Sequence, residues 1–305
     1  MNPVLDGVPS IRDDEFALFQ ALVRREAGIA LGDHKRPLLI SRLCPRMRAV
    51  GARTFAEYHR LVTGPDGGAE LVQMLDCICT NETHFFREPA QFRFLEREVI
   101  PTWIQGGPRG IRVWSAACST GEEPYSVAMT LLHHLPSSGF PIAILASDLS
   151  TRVLERARRA IWPLEKAEEI PPDYLHAYML RGKGAQQGNM KAGPEFRRLV
   201  SLRRLNLNEE ARPAPGLFDL ILCRNVLIYF DAATRTSVLS RLLGCLRPGG
   251  YLFLGHAESL GGSADRAQSL IPAVYRLRPA SAARSSPLDP RAAVPPRGRA
   301  GAGEC

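Results

Sequence analysis

Arg112-Val-Trp-Ser-Ala-Ala-Cys-Ser-Thr-Gly-Glu-Glu-Pro-Tyr125 contains the turn on which the fold depends. A β-branched and aromatic run gives way to small residues, then one glycine, two carboxylates and a proline that a helix accepts in its first turn. That order reads as strand, tight loop and helix, the junction at which an open α/β sheet holds a nucleoside-containing ligand. Small side chains let a ligand approach the backbone, and Gly121 can adopt torsions that other residues avoid. A loop built for pyrophosphate wants bare N–H groups and no negative charge nearby. Here a single glycine is followed by Glu122 and Glu123, which favours a cofactor carrying positive charge.

Outward from this junction, strand and helix patterns alternate. Ile111–Ala116 is a strand and residues 123–135 a helix. A second strand, 142–147, ends at Asp148 and is followed by a helix from Thr151 to about Ala160. Residues 218–223 form another apolar strand, 232–246 a helix, Pro248-Gly-Gly250 a turn and 251–255 a strand. Such alternation predicts a mostly parallel sheet covered by helices on both faces. Before it, Phe92, Leu95, Val99 and Trp103 mark a helix leading to the sheet. At about residues 171–199 the rhythm breaks into a short helix, a glycine-bearing loop and a basic strand-like piece, which predicts a small inserted β-hairpin.

Residues 11–80 read as an all-α N-terminal domain. Phe16, Phe19 and Val23 recur at helical spacing until Gly28 stops the run. A second helix begins near Pro37, and Pro45 inside it should kink or divide it. Thr54-Phe-Ala-Glu57 has capping-box spacing for a third, and Gly64-Pro-Asp-Gly-Gly68 is a loop. Residues 1–10 are expected to be flexible. Residues 279–305, rich in Pro, Ala, Arg, Ser and Gly, are expected to form a disordered tail.

Composition places the 305 residues among ordinary globular proteins, with 45% hydrophobic and 23% charged side chains. No apolar run approaches the roughly 20 residues of a membrane span, and no signal-peptide pattern opens the chain, so a cytoplasmic location is expected. Seven cysteines lack the spacing of a metal site, which predicts reduced thiols and no metal centre. The net charge of +8 is concentrated in part between Arg24 and Arg60, a patch suited to an acidic partner, protein or nucleic acid. A solvated helix face would give the same count.

Three further segments carry candidate chemistry. Asp148 ends the second strand, where α/β nucleotide folds place an acid on ribose hydroxyls; a helix N-cap is the structural alternative. Arg224-Asn-Val-Leu-Ile-Tyr229 follows a strand directly and so faces the same crevice, with packing and a salt bridge as the alternative. Asn81-Glu-Thr-His-Phe-Phe-Arg87, at the joint between the helical part and the sheet, suits a cleft wall.

Together these segments resemble the chemotaxis receptor methyltransferases (CheR family), S-adenosylmethionine-dependent protein-glutamate O-methyltransferases. The resemblance also takes in Ala146-Ser-Asp148, Asn206-Leu207, Cys223 to Asp231 and Gly255-His-Ala-Glu-Ser259, in order from about residue 11 to 278. It implies a helical domain joined to a Rossmann-like methyltransferase domain with a small antiparallel β-subdomain inserted. By position, it implies cofactor contacts from Asn81, Thr83, Arg87, Glu123, Asp148, Asn206, Leu207, Arg224 and Asn225. Tyr229 would lie near the transferring methyl, and Arg87 and Tyr229 would position the reactants. Arg42, Arg46 and Arg48 on the basic second helix would meet the acidic methylation helices of a receptor. The inserted hairpin resembles those that dock a receptor's C-terminal peptide by strand addition.

The expected activity is methyl transfer to receptor glutamates, with neither nucleic acid nor membrane insertion. Two alternatives stand beside it. One is a receptor-binding adaptor that has lost catalysis. The other is a nucleic-acid methyltransferase, disfavoured because no Asn/Asp-Pro-Pro-aromatic turn is present. Cys118, in the glycine loop, would make the site sensitive to thiol reagents.

Overall fold

The computed structural model describes residues 10–106, 110–135, 140–209 and 216–279. Apart from residues 10 and 279, the flexible segment and tail expected at 1–10 and 279–305 lie outside the described residues.

Four helices come first: α1 (Asp13–Ala27), α2 (Arg36–Val50), α3 (Phe55–Thr63) and α4 (Gly68–Ile78). The α1 helix opens with Arg12 N–H donating to Glu15 and ends on Gly28 in the left-handed region at φ +72°. Thr54 caps α3 by accepting from Glu57 N–H at 3.1 Å. Of the two outcomes expected at Pro45, division does not occur: α2 runs through it as one helix. It lies on the exposed face, and so does Ser41, whose carbonyl loses its helical partner there and can turn to water. The opposite faces bury Phe16, Phe19, Leu43, Met47, Tyr58 and Met74 in one cluster.

A long helix leads to the sheet as α5 (Pro89–Phe94), a π-helical turn (Leu95–Val99) and α6 (Ile100–Gly106). Then follow β1 (Ile111–Ala116), α7 (Glu122–His134), β2 (Ile142–Asp148) and α8 (Thr151–Arg159). The insertion holds β3 (Ile161–Pro163), α9 (Pro172–Tyr178), β4 (Met179–Arg181), β5 (Asn189–Ala192) and α10 (Pro194–Arg197). The chain returns through β6 (Val200–Arg204), β7 (Phe218–Cys223), α11 (Ala232–Gly244), β8 (Leu246–Leu254), β9 (Ala267–Ile271) and β10 (Val274–Leu277).

The main sheet has the order β6-β2-β1-β7-β8-β10-β9. Its first five strands are parallel and β10 and β9 antiparallel, an edge hairpin the apolar pattern did not announce. Alternate side chains of β1 serve opposite cores. Ile111 and Val113 pack with α7 and the long helix; Trp114 and Ala116 pack with α11. The Pro248-Gly-Gly250 stretch is a bulge inside β8 rather than a turn before it, since Leu246 already pairs with Phe218 before the register shifts.

The insertion is a three-stranded antiparallel sheet, β3-β5-β4, rather than a hairpin. It starts at Ile161, earlier than residue 171, because Ile161-Trp-Pro163 pairs with β5. The basic residues of β6 belong to the main sheet, as its edge beside β2. Trp162 and Phe196 seat the small sheet on α7, with ring centroids 5.2 Å and 5.6 Å from that of Tyr125.

Candidate cofactor site

At the carboxyl ends of β1, β2 and β7 lies a pocket, the place a switch of strand order opens in a parallel sheet. Its lining includes Asn81, Thr83, Arg87, Glu123, Asp148, Asn206, Leu207, Arg224, Asn225 and Tyr229, so the residues picked out as cofactor contacts meet around one space. Arg42, Arg46 and Arg48 do not line it.

The glycine loop is held open by left-handed torsions at Ala117 (φ +65°), Ser119 (φ +49°) and Gly121 (φ +100°). A Cβ on Gly121 would meet the Ala157 Cβ at 3.1 Å and the Tyr125 ring at 3.3 Å, so only glycine lets α7 start here. The two acids that follow part company. Glu123 faces the pocket, accepting from Ser115 Oγ at 2.7 Å and lying 3.1 Å from Arg224 Nη1. Burial raises its pKa, and Arg224 partly opposes the rise. Glu122 turns away, buried against Lys166 Nζ at 2.9 Å. Only one acid of the pair is therefore available to a cofactor's positive charge.

Asp148 is not a helix cap; Ser150 caps α8. Its carboxylate bridges two loops, accepting from Ser119 N–H and Ser150 N–H, each at 2.9 Å. Burial raises its pKa, opposed by those backbone donors. Each oxygen keeps a lone pair that can accept from a ligand hydroxyl.

Arg224 donates to the carbonyl of Arg87 and lies between Glu123 and Glu88. Its Nε and the Oδ1 of Asn225 are buried without a hydrogen-bond partner. Unpaired buried polar atoms in a pocket wall are costly unless a ligand completes them. Asn225 is itself left-handed at φ +58°. With Phe86 at φ +50°, left-handed non-glycine residues thus occur in all three loops of the site, as they do where geometry serves function.

The fourth wall was not legible in the sequence. Ala30, Leu31, Lys35 and Leu38 of the helical domain line the pocket. They are drawn there by an isolated bridge between Ile29 and Phe230 and by Ala30 N–H donating to the Tyr229 carbonyl at 2.8 Å. Asn206 Nδ2 donates to the Glu26 carbonyl at 2.6 Å, so this residue joins the two domains besides facing the pocket. Lys166, also missed, reaches from the insertion to the Thr83 carbonyl at 3.0 Å.

Cys118 does not behave as expected of it. Its side chain is buried outside the pocket lining and burial raises the thiol pKa well above its usual value, so the reactive thiolate is disfavoured. Two of the three basic-helix arginines are engaged within their own domain. Arg46 forms a bidentate pair with Glu70, and Arg42 donates to the Ile78 carbonyl and to Thr80. Arg48 is exposed.

A cationic sulfonium and ammonium suit Glu123 and the unpaired Asn225 oxygen, ribose hydroxyls suit Asp148, and apolar walls such as Leu149 and Leu207 suit an adenine ring. Fold and site define an S-adenosylmethionine-dependent methyltransferase. Comparison with known proteins narrows the class. Residues 14–79 match the family model for the CheR methyltransferase all-alpha domain, and residues 81–275 match the CheR methyltransferase SAM binding domain. Chemotaxis protein methyltransferase 2 of Pseudomonas aeruginosa is 38% identical over 262 residues, 86% of this chain and 92% of that protein. The chemotaxis protein methyltransferase of Salmonella typhimurium is 38% identical over 250 residues, 82% of this chain and 85% of that protein. The chain belongs to the CheR methyltransferase family.

Proposed function

We propose that this enzyme methylates glutamate side-chain carboxylates of chemoreceptors, forming methyl esters in the cytoplasm. The observation that carries the reading is the convergence of Asp148, Glu123, Asn225, Arg87 and Tyr229 on one pocket. When bound, S-adenosylmethionine supplies a methyl on a sulfonium, so that the new carbon–oxygen bond forms as the carbon–sulfur bond breaks and its electron pair stays on sulfur. Asn81, Thr83, Arg87, Glu123, Asp148, Asn206, Leu207, Arg224 and Asn225 are the residues that would hold it. A glutamate with pKa about 4.3 is already an anion near neutral pH, so the protein needs no general base. Its work is placement and exclusion of water. Arg87, half-buried at the pocket wall, is suited to draw in the substrate carboxylate, and Tyr229 to fix its approach.

The receptor face is proposed to centre on Arg48, with Arg42 and Arg46 supporting it from their pairings. Of the small sheet's two edge strands, β4, where Leu180 is exposed, is the one to which a receptor peptide is proposed to add. Among the described residues no helix is long and apolar enough to cross a membrane.

The test is incubation with methyl-labelled S-adenosylmethionine and a receptor cytoplasmic fragment, beside the same fragment with its methylation-region glutamates changed to alanine. Label should enter the first and be lost from the second. Equal labelling of both would overturn the assignment.

A further inference from the structure

The chain leaves β8 through Gly255-His-Ala-Glu-Ser259, and none of these residues is among those lining the pocket. Glu258 is nevertheless 8% exposed and folds its carboxylate back under the neighbouring loop. Oε2 accepts from Gly255 N–H at 2.7 Å and Asn225 N–H at 3.0 Å. Oε1 accepts from Leu227 N–H at 2.8 Å and Ile228 N–H at 3.3 Å. Backbone donors buried in an irregular loop need partners, and here one side chain serves three in the 224–229 loop and one in its own.

That loop carries Arg224, Asn225 and Tyr229, and it holds Asn225 in the left-handed region, which costs about 1 kcal/mol or more. Hydrogen bonds to a carboxylate are strong enough to offset that cost. The approach is close: a Cβ on Gly255 would come within 2.7 Å of Asn225 N and 2.8 Å of Glu258 Oε2. The same segment is tied to the loop of Asn81–Arg87, since Glu88 accepts from His256 N–H at 2.9 Å.

We propose that Glu258 is the positioning residue of the methyl-transfer site. It sets the conformation of the 224–229 loop, and through it the placement of Asn225 and Tyr229, without touching either reactant. This rests on the assignment of those two residues made above. Glutamine is nearly isosteric but turns one acceptor into a donor facing two N–H groups, so shape is kept while the clamp is lost.

Full-length Glu258→Gln is titrated with S-adenosylhomocysteine and assayed for turnover. The expected result is full binding stoichiometry with roughly tenfold weaker affinity. A fall of about a hundredfold in kcat should accompany it, the size of effect produced by misplacement on the order of 1 Å. Reduced stoichiometry with wild-type affinity in the folded fraction would mean a merely structural role and overturn the proposal; so would unchanged affinity and kcat. Should Glu258→Gln not fold, Glu258→Asp, which keeps the charge but shortens the reach to the 224–229 loop, is read in the same way. Asn225→Ala separates the two levels. Unchanged affinity there removes the cofactor assignment and this inference with it. Weakened affinity there, with Glu258→Gln unaffected, removes the inference alone.

Discussion

Asp148 and Glu123 are buried carboxylates whose pKa values rise chiefly because burial disfavours their charged forms. The folded state therefore binds their protons more readily than the unfolded state. Their contribution to stability is greatest below the unfolded carboxylate range and is lost as pH rises through the raised values. Cofactor binding runs the other way, because the ligand's ammonium, kept when the methyl is lost, and its ribose hydroxyls favour the anions. As pH falls towards and through the raised carboxylate values, S-adenosylhomocysteine affinity should fall, and Glu123→Gln should both weaken it at neutral pH and flatten the profile. Titration calorimetry checks this; a flat wild-type profile would contradict it. Asp148→Ala should weaken binding by roughly tenfold or more, having removed a buried acceptor shared by two loops. That both acids would reach the pocket was readable because each sits where a strand or loop ends. That Glu122 would turn to Lys166 was not, since the partner comes from an insertion distant in sequence.

The glycine loop and α2 make opposite predictions for single alanines. Gly121→Ala adds a Cβ between Ala157 and Tyr125 at φ +100° and should cost about 1–3 kcal/mol, with loss of cofactor affinity. Pro45→Ala restores an N–H to an exposed turn of a continuous helix and should stabilise by about 1–3 kcal/mol, leaving turnover unchanged. Chemical denaturation measures both; destabilisation by Pro45→Ala would show that the helix depends on the proline. Periodicity located β1, β7 and α7 closely because their apolar faces are long and regular. It failed at the insertion, where β3 is a three-residue strand whose partner lies beyond α9. It failed too at β8, where Pro and Gly mark a bulge as readily as a turn.

The helical domain supplies a wall of the candidate cofactor pocket, so both domains line it. Their seam includes a 2.8 Å ion pair between Arg24 and Asp231. Asp231 also caps α11 through Thr234 N–H at 2.9 Å. Asp231→Ala should therefore cost about 1–2 kcal/mol. Arg24→Ala, removing a largely exposed partner, should cost less than about 1 kcal/mol. Equal losses in thermal denaturation would mean that the pair, not the cap, dominates. The seam left no trace in the sequence, because polar backbone contacts such as Ala30 to Tyr229 carry no side-chain pattern. The measurement that bears most directly on the whole account is the chemistry of the product bond. With labelled S-adenosylmethionine, a receptor cytoplasmic fragment should acquire label that mild alkali releases as methanol, as a glutamate ester must, and DNA should acquire none. Alkali-stable label on the fragment, or label on DNA, would contradict it.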